Sequence, residues 1–121
     1  IKRVTGTYKA NIQKQLDGEA VLKLQNVVRR VPVADHVVTY AAQIARASRP
    51  REEGAPDFVR EMVSWGAGPR AGIYLILAAK ARAILQGRYH ATTGDVRAVA
   101  TSDDIVNRLV AHFQPSADLE V

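Results

Sequence analysis

From Gly18 onward the apolar residues fall at spacings of three and four. Ala20, Val21, Leu24, Val27, Val28 and Val31 share one face and predict a helix. Pro32 ends it, because proline supplies no N–H and pushes Val31 out of the helical region. Val37, Val38, Ala41, Ile44, Ala45 and Ser48 mark a second helix that stops before Pro50. The polar stretch from Pro50 to Pro56 is a loop, and Pro56 is placed to be the first residue of a short third helix carrying Phe58, Val59, Met62 and Val63.

Gly66-Ala67-Gly68-Pro69 breaks the chain again, and Pro69 starts the longest helix, which runs to about Gln86. Its apolar residues, from Ile73 to Leu85, occupy more than one stripe, and a helix apolar on most sides belongs in the middle of a bundle. Gly87 is placed as its C-terminal cap. Thr92-Thr93-Gly94-Asp95 has the spacing of a capping box with Asp in place of Glu, opening a short helix with Val96, Val99 and Ala100 inward. A last helix, capped by Thr101 or Ser102, carries Ile105, Val106, Leu109, Val110 and Phe113 and ends at Pro115. Residues 1–17 show no clear period, with a turn at Thr5-Gly6-Thr7, and Val31-Pro32-Val33 is the nearest approach to a strand. The pattern predicts an all-α bundle of five to six helices.

Length agrees with one domain: 121 residues bury roughly two thirds of their unfolded surface. No apolar run approaches the ~18 residues of a membrane span. The chain opens on Ile1-Lys2-Arg3 with no hydrophobic leader, and reads as a piece of a longer protein. With no cysteine there is no disulfide framework, thiolate zinc site or cysteine nucleophile, which suits a cytoplasmic protein.

The net charge of +5 is concentrated in the first sixty residues, which hold eleven basic and six acidic side chains. Such a bias invites a nucleic-acid reading, yet the cations are scattered and no aromatic residues interleave with them. A stand-alone basic helical module that binds nucleic acid or protein is the alternative the composition leaves open. There is no phosphate-cradling G-x-x-x-x-G-K-[ST] loop and no H-E-x-x-H pair. His36, His90 and His112 lie on three predicted elements without metal-ligand spacing, and the adjacent acids Glu52-Glu53 and Asp103-Asp104 suit loop or helix-end solvation better than acid–base catalysis.

One constellation carries chemistry: Trp65-Gly66-Ala67-Gly68-Pro69-Arg70-Ala71. The tight turn delivers Arg70 to the second position of the longest helix, where free N–H groups and a planar cation together favour phosphate oxygens. A cation at the positive end of a helix is locally unfavourable by a few tenths of a kcal/mol, and spacing alone leaves two readings of Arg70: a residue serving an external partner, or a solvated arginine on a proline-started helix. Trp65, beside the turn, is expected to plug the core.

Ser64-Trp-Gly-Ala-Gly-Pro-Arg-Ala71, Ala78-Ala-Lys-Ala-Arg-Ala83, Gly87-Arg-Tyr89 and Asp95-Val-Arg-Ala-Val-Ala100 closely resemble the C-terminal lid of MoxR-family AAA+ ATPases. The resemblance is closest from Phe58 to about Phe113 and looser over residues 16–50. It implies that Arg70 is a sensor 2 arginine reaching the γ-phosphate of ATP, set by the turn residues Gly66, Ala67, Gly68 and Pro69. It also implies an ATP- and Mg²⁺-dependent core upstream, with residues 1–17 as the entry from it, 18–114 as the lid and 115–121 as a tail. The fragment by itself is then not catalytic, since the Walker motifs belong to that core. Implied partners are the core, neighbouring subunits of a homo-oligomeric ring, and a client or a von Willebrand factor A domain protein. The family's task is chaperone-like complex assembly or metal insertion. Gly68 stands where the family usually has Ser, Thr93-Gly94 where it has Pro-Glu, and of its Pro-Val-Leu-Arg-His-Arg segment only Arg108 is retained.

Overall fold

The computed structural model describes residues 11–100 together with 111 and 112. Five helices are formed among them: α1 (Gly18–Arg30), α2 (Asp35–Ala47), α3 (Asp57–Met62), α4 (Arg70–Leu85) and α5 (Thr93–Val99). The fold is all-α, as the periodicity predicts. The Thr5-Gly6-Thr7 turn and almost all of the predicted last helix, including Arg108, lie outside the described residues. Val33 and Ala91 form a single parallel bridge at the strand-like Val31-Pro32-Val33 step, with the Ala91 N–H donating to the Pro32 carbonyl at 3.2 Å.

The helix ends obey local chemistry. Asp17 caps α1, its Oδ1 accepting from the Ala20 N–H at 2.8 Å. Gly87 adopts φ +71°, the left-handed conformation glycine tolerates best. This lets the Arg88 N–H reach the Ala83 carbonyl at 2.9 Å and the Gly87 N–H reach Ile84 at 2.9 Å, a Schellman closure of α4. Thr92 and Asp95 form the expected capping box on α5. Both prolines differ by one position from the sequence reading. Pro56 and Pro69 are N-caps, so α3 starts at Asp57 and Arg70 is the first residue of α4.

The core joins α2, α4 and α5. Val37, Tyr40, Ala41 and Ile44 of α2 meet Ala79 and Ala83 of α4 and Val96 of α5, with Ala91 and Ala100 closing the cluster. The alanines at i and i+4 on α4 have no bulk beyond Cβ, so neighbouring helices pack near the axis. A smaller cluster of Ala47 and Val59, flanked by Phe58 and Val63, holds α3 against the end of α2.

Burial departs from the apolar pattern on three helices. α4 touches α1, α2 and α5, but its apolar residues are not all enclosed: Ile73, Tyr74 and Leu85 face solvent. On α1 no residue is buried, and Val21, Leu24 and Val27 of its apolar face are exposed. Its tie to α4 includes the Lys80 ammonium donating to the Arg29 carbonyl at 3.3 Å. On α2, Val38 is exposed and Tyr40 takes the buried place instead.

Candidate functional site

The turn that delivers Arg70 is clamped onto the C-terminal end of α2. Ser48, the C-cap of α2, donates its hydroxyl to the Ala45 carbonyl at 2.8 Å and accepts the Ala67 N–H at 2.9 Å. Arg49 Nε donates to the Ala67 carbonyl at 2.8 Å. Both flanking peptide groups of one turn residue are thus fixed from an element 18 or 19 residues away in sequence. Removing the hydroxyl in Ser48→Ala is expected to cost about 1 kcal/mol, the net worth of a part-buried hydrogen bond, read as a lower midpoint in a denaturant melt.

Gly66 makes the clamp possible. A Cβ built there would sit 2.5 Å from the Ser48 carbonyl oxygen and clash with the Arg49 backbone. Gly68, by contrast, faces open space. Its carbonyl accepts the Ala71 N–H at 3.0 Å, and Pro69 sits in the helical region at φ −57°, ψ −27°. Arg70 follows as the first residue of α4 and is exposed. No acidic residue stands in the first turn of α4, and no ion pair neutralises Arg70 among the described residues. The guanidinium of Arg70 thus stands in solvent at the positive end of a 16-residue helix. The sequence-predicted residues Gly66, Ala67, Gly68, Pro69 and Arg70 are therefore contiguous in one turn. Ser48 and Arg49, which hold it, carry no local signal of that role.

Trp65 departs from expectation. It is 83 % exposed rather than a core plug, because Gly66 carries the close approach to α2 and the indole is left on the outer side. The Arg51 guanidinium carbon lies 5.7 Å from its ring centroid.

A second constellation was not visible in the sequence. The Asp95 side chain is fully buried and accepts from Arg82 Nη1 at 2.6 Å and from both terminal nitrogens of Arg88, one of them at 2.8 Å. The Thr92 N–H and hydroxyl also donate to it, at 2.9 and 3.0 Å. Burial alone pushes this carboxyl up, but donation from Arg88, the Thr92 backbone, Arg82 and the Thr92 hydroxyl outweighs it and holds the group well below the usual carboxylate range. The same pairing raises the Arg88 guanidinium. An acid so firmly ionised holds α4, the 86–92 turn and α5 together and is not a proton donor. Among the described residues no His, Asp and Glu cluster has the makings of a metal site, and none of the helices is long and apolar enough to cross a membrane.

The AAA lid domain family matches residues 57–102, which takes in α3, the clamped turn, α4 and α5. The chain is 32% identical over 98 residues to the chaperone MoxR1 of Mycobacterium tuberculosis, an alignment covering 81% of this chain and 26% of that protein. The chain thus spans about a quarter of the length of the curated relative it matches. No solved structure matches it.

Proposed function

Since the chain carries a MoxR-family AAA+ lid domain, we propose that Arg70 is its sensor 2 residue and reaches the γ-phosphate of ATP held by an upstream core. The observation that supports this reading is the exposed, unneutralised Arg70 at the start of α4, delivered by a turn pinned to α2 through Ala67. In this proposal residues 1–17 enter from the core, 18–114 form the lid and 115–121 are a tail. Mg²⁺ and the attacking water belong to the core.

Bound ATP supplies a terminal phosphate whose charge and position change on hydrolysis. The guanidinium of Arg70 presents a planar fork to two of its oxygens. The Ser48–Arg49 clamp carries any displacement of Arg70 into α2, and Asp95 carries it through α4 into α5. ATP and its products then favour different angles between lid and core, because contact with the γ-phosphate is differential. In a homo-oligomeric ring in the cytoplasm that motion passes to neighbouring subunits and to a client or von Willebrand factor A domain partner, serving chaperone-like complex assembly or metal insertion.

In the full-length ATPase, Arg70→Ala is expected to lower kcat roughly a hundredfold to a thousandfold, the range lost with one preorganised transition-state contact. The stability of the lid should change by no more than about 0.5 kcal/mol, since the side chain is exposed. Steady-state turnover and a thermal melt measure the two quantities. Unchanged turnover would remove the sensor assignment.

A further inference from the structure

Beside the clamped turn lies a cleft of about 260 Å³, lined by Arg49, Pro50, Arg51, Glu52, Ser64, Trp65 and Gly66. Its floor is rigid for the reasons that fix the turn: Gly66 rests against the α2 end and Arg49 is bonded to Ala67. Its wall is the exposed face of Trp65. A large aromatic left in solvent on a rigid support is the commonest kind of anchor in protein interfaces, since it contributes contact area with little entropy to lose.

The charges around the ring are unbalanced. Glu52 accepts from Arg49 at 3.2 Å and from Arg46 at 3.4 Å, so its carboxylate is already shared by two cations. Arg51 has no carboxylate among the described residues and lies over the indole. The lining therefore holds two guanidiniums against one carboxylate, on a chain of net charge +5. A guanidinium over an aromatic ring still presents its edge donors outward, where a carboxylate forms charge-assisted bonds.

We propose that this cleft is a docking site for a partner protein segment that presents a carboxylate beside a large aliphatic side chain. The aliphatic group packs on Trp65 and the carboxylate pairs with Arg51. The cleft shares Arg49 and Gly66 with the clamp of the turn that delivers Arg70, but the proposal gives Arg70 no part, and peptide binding is read apart from ATP turnover.

Trp65 is the single tryptophan of the chain, so its emission reports on the cleft directly. The probe is a capped peptide of alternating leucine and glutamate, titrated into the chain at low salt. A saturable change in emission is expected, weakened at least tenfold by Arg51→Ala and by replacing the peptide's glutamates with glutamine. Anisotropy of a fluorescein-labelled copy of the peptide extends the test to Trp65→Ala, where loss of binding is expected with an unchanged far-ultraviolet circular dichroism spectrum. Three results would overturn the proposal: no response at millimolar peptide, equal affinity after both substitutions, or an emission change produced by ATP and not by the peptide. The last would give the cleft to a nucleotide base.

Discussion

Asp95→Ala is expected to lower the unfolding free energy of the chain by about 2–3 kcal/mol, the cost of taking a buried, multiply bonded carboxylate from its donors, with the ion-pair share reduced by solvent. Its two arginines are about one third exposed (37 % and 34 % of the side chain), so their charges are partly screened and survive the loss. The carboxylate itself is the larger factor. It is fully buried, and its removal leaves the Thr92 N–H without a partner and opens the α5 capping box. The contrast is the exposed Glu19–Lys23 pair on α1, at 2.9 Å, whose loss should cost no more than about 0.5 kcal/mol.

The same group sets the acid limb of stability. The folded-state pKa of Asp95 is depressed below its unfolded value of about 3.9. Its contribution is therefore complete above roughly pH 5 and is lost progressively as pH falls through and below about 4. Urea melts at pH 7 and pH 3 should show a large gap between wild type and Asp95→Ala at the first pH and a smaller gap at the second. Coincident midpoints at pH 7 would mean that the cluster is not a latch. Asp95→Asn should fall between the two, because it keeps the shape and some acceptors but not the charge.

Gly66→Ala is the second large effect. An added methyl meets backbone, not the end of a flexible side chain, so the turn must lift away from α2. Strain of that kind costs about 1–3 kcal/mol, and lifting the turn also stretches both bonds to Ala67. In the full-length ATPase it should lower turnover about tenfold through Arg70, without touching nucleotide itself. Gly68→Ala is the matched control. Nothing lies within 4 Å of its Cβ position and its φ is not positive, so stability should change by no more than about 0.5 kcal/mol. Thermal melts of the two variants side by side decide the matter: equal effects at positions 66 and 68 would mean that the clamp is not what holds the turn.

What the sequence by itself determined about this chain is local. Spacings of three and four located α1 and α2, the prolines and Gly87 placed the ends of α3 and α4 to within about one position, and Thr92 with Asp95 announced the capping box that opens α5. Each of these rests on residues within about four positions of one another, where backbone sterics and the helical period act directly. Arg70 and its turn were legible for the same reason, as a contiguous motif at a helix start.

Tertiary structure decided the rest. The periodic face of α1 does not say whether a partner covers it; Val21, Leu24 and Val27 are exposed all the same. Trp65 is apolar and next to a turn whether it is buried or not, and only the approach of Gly66 to Ser48 and Arg49 turns the indole outward. Arg82, Arg88 and Asp95 are spread over fourteen positions, and no short spacing rule connects them. The Schellman closure at Gly87 and the meeting of α4 with α5 bring two cations to one buried carboxylate. A pattern along the chain reports which face of an element is apolar. Which faces meet depends on contacts between distant residues, and these form only when the whole core packs.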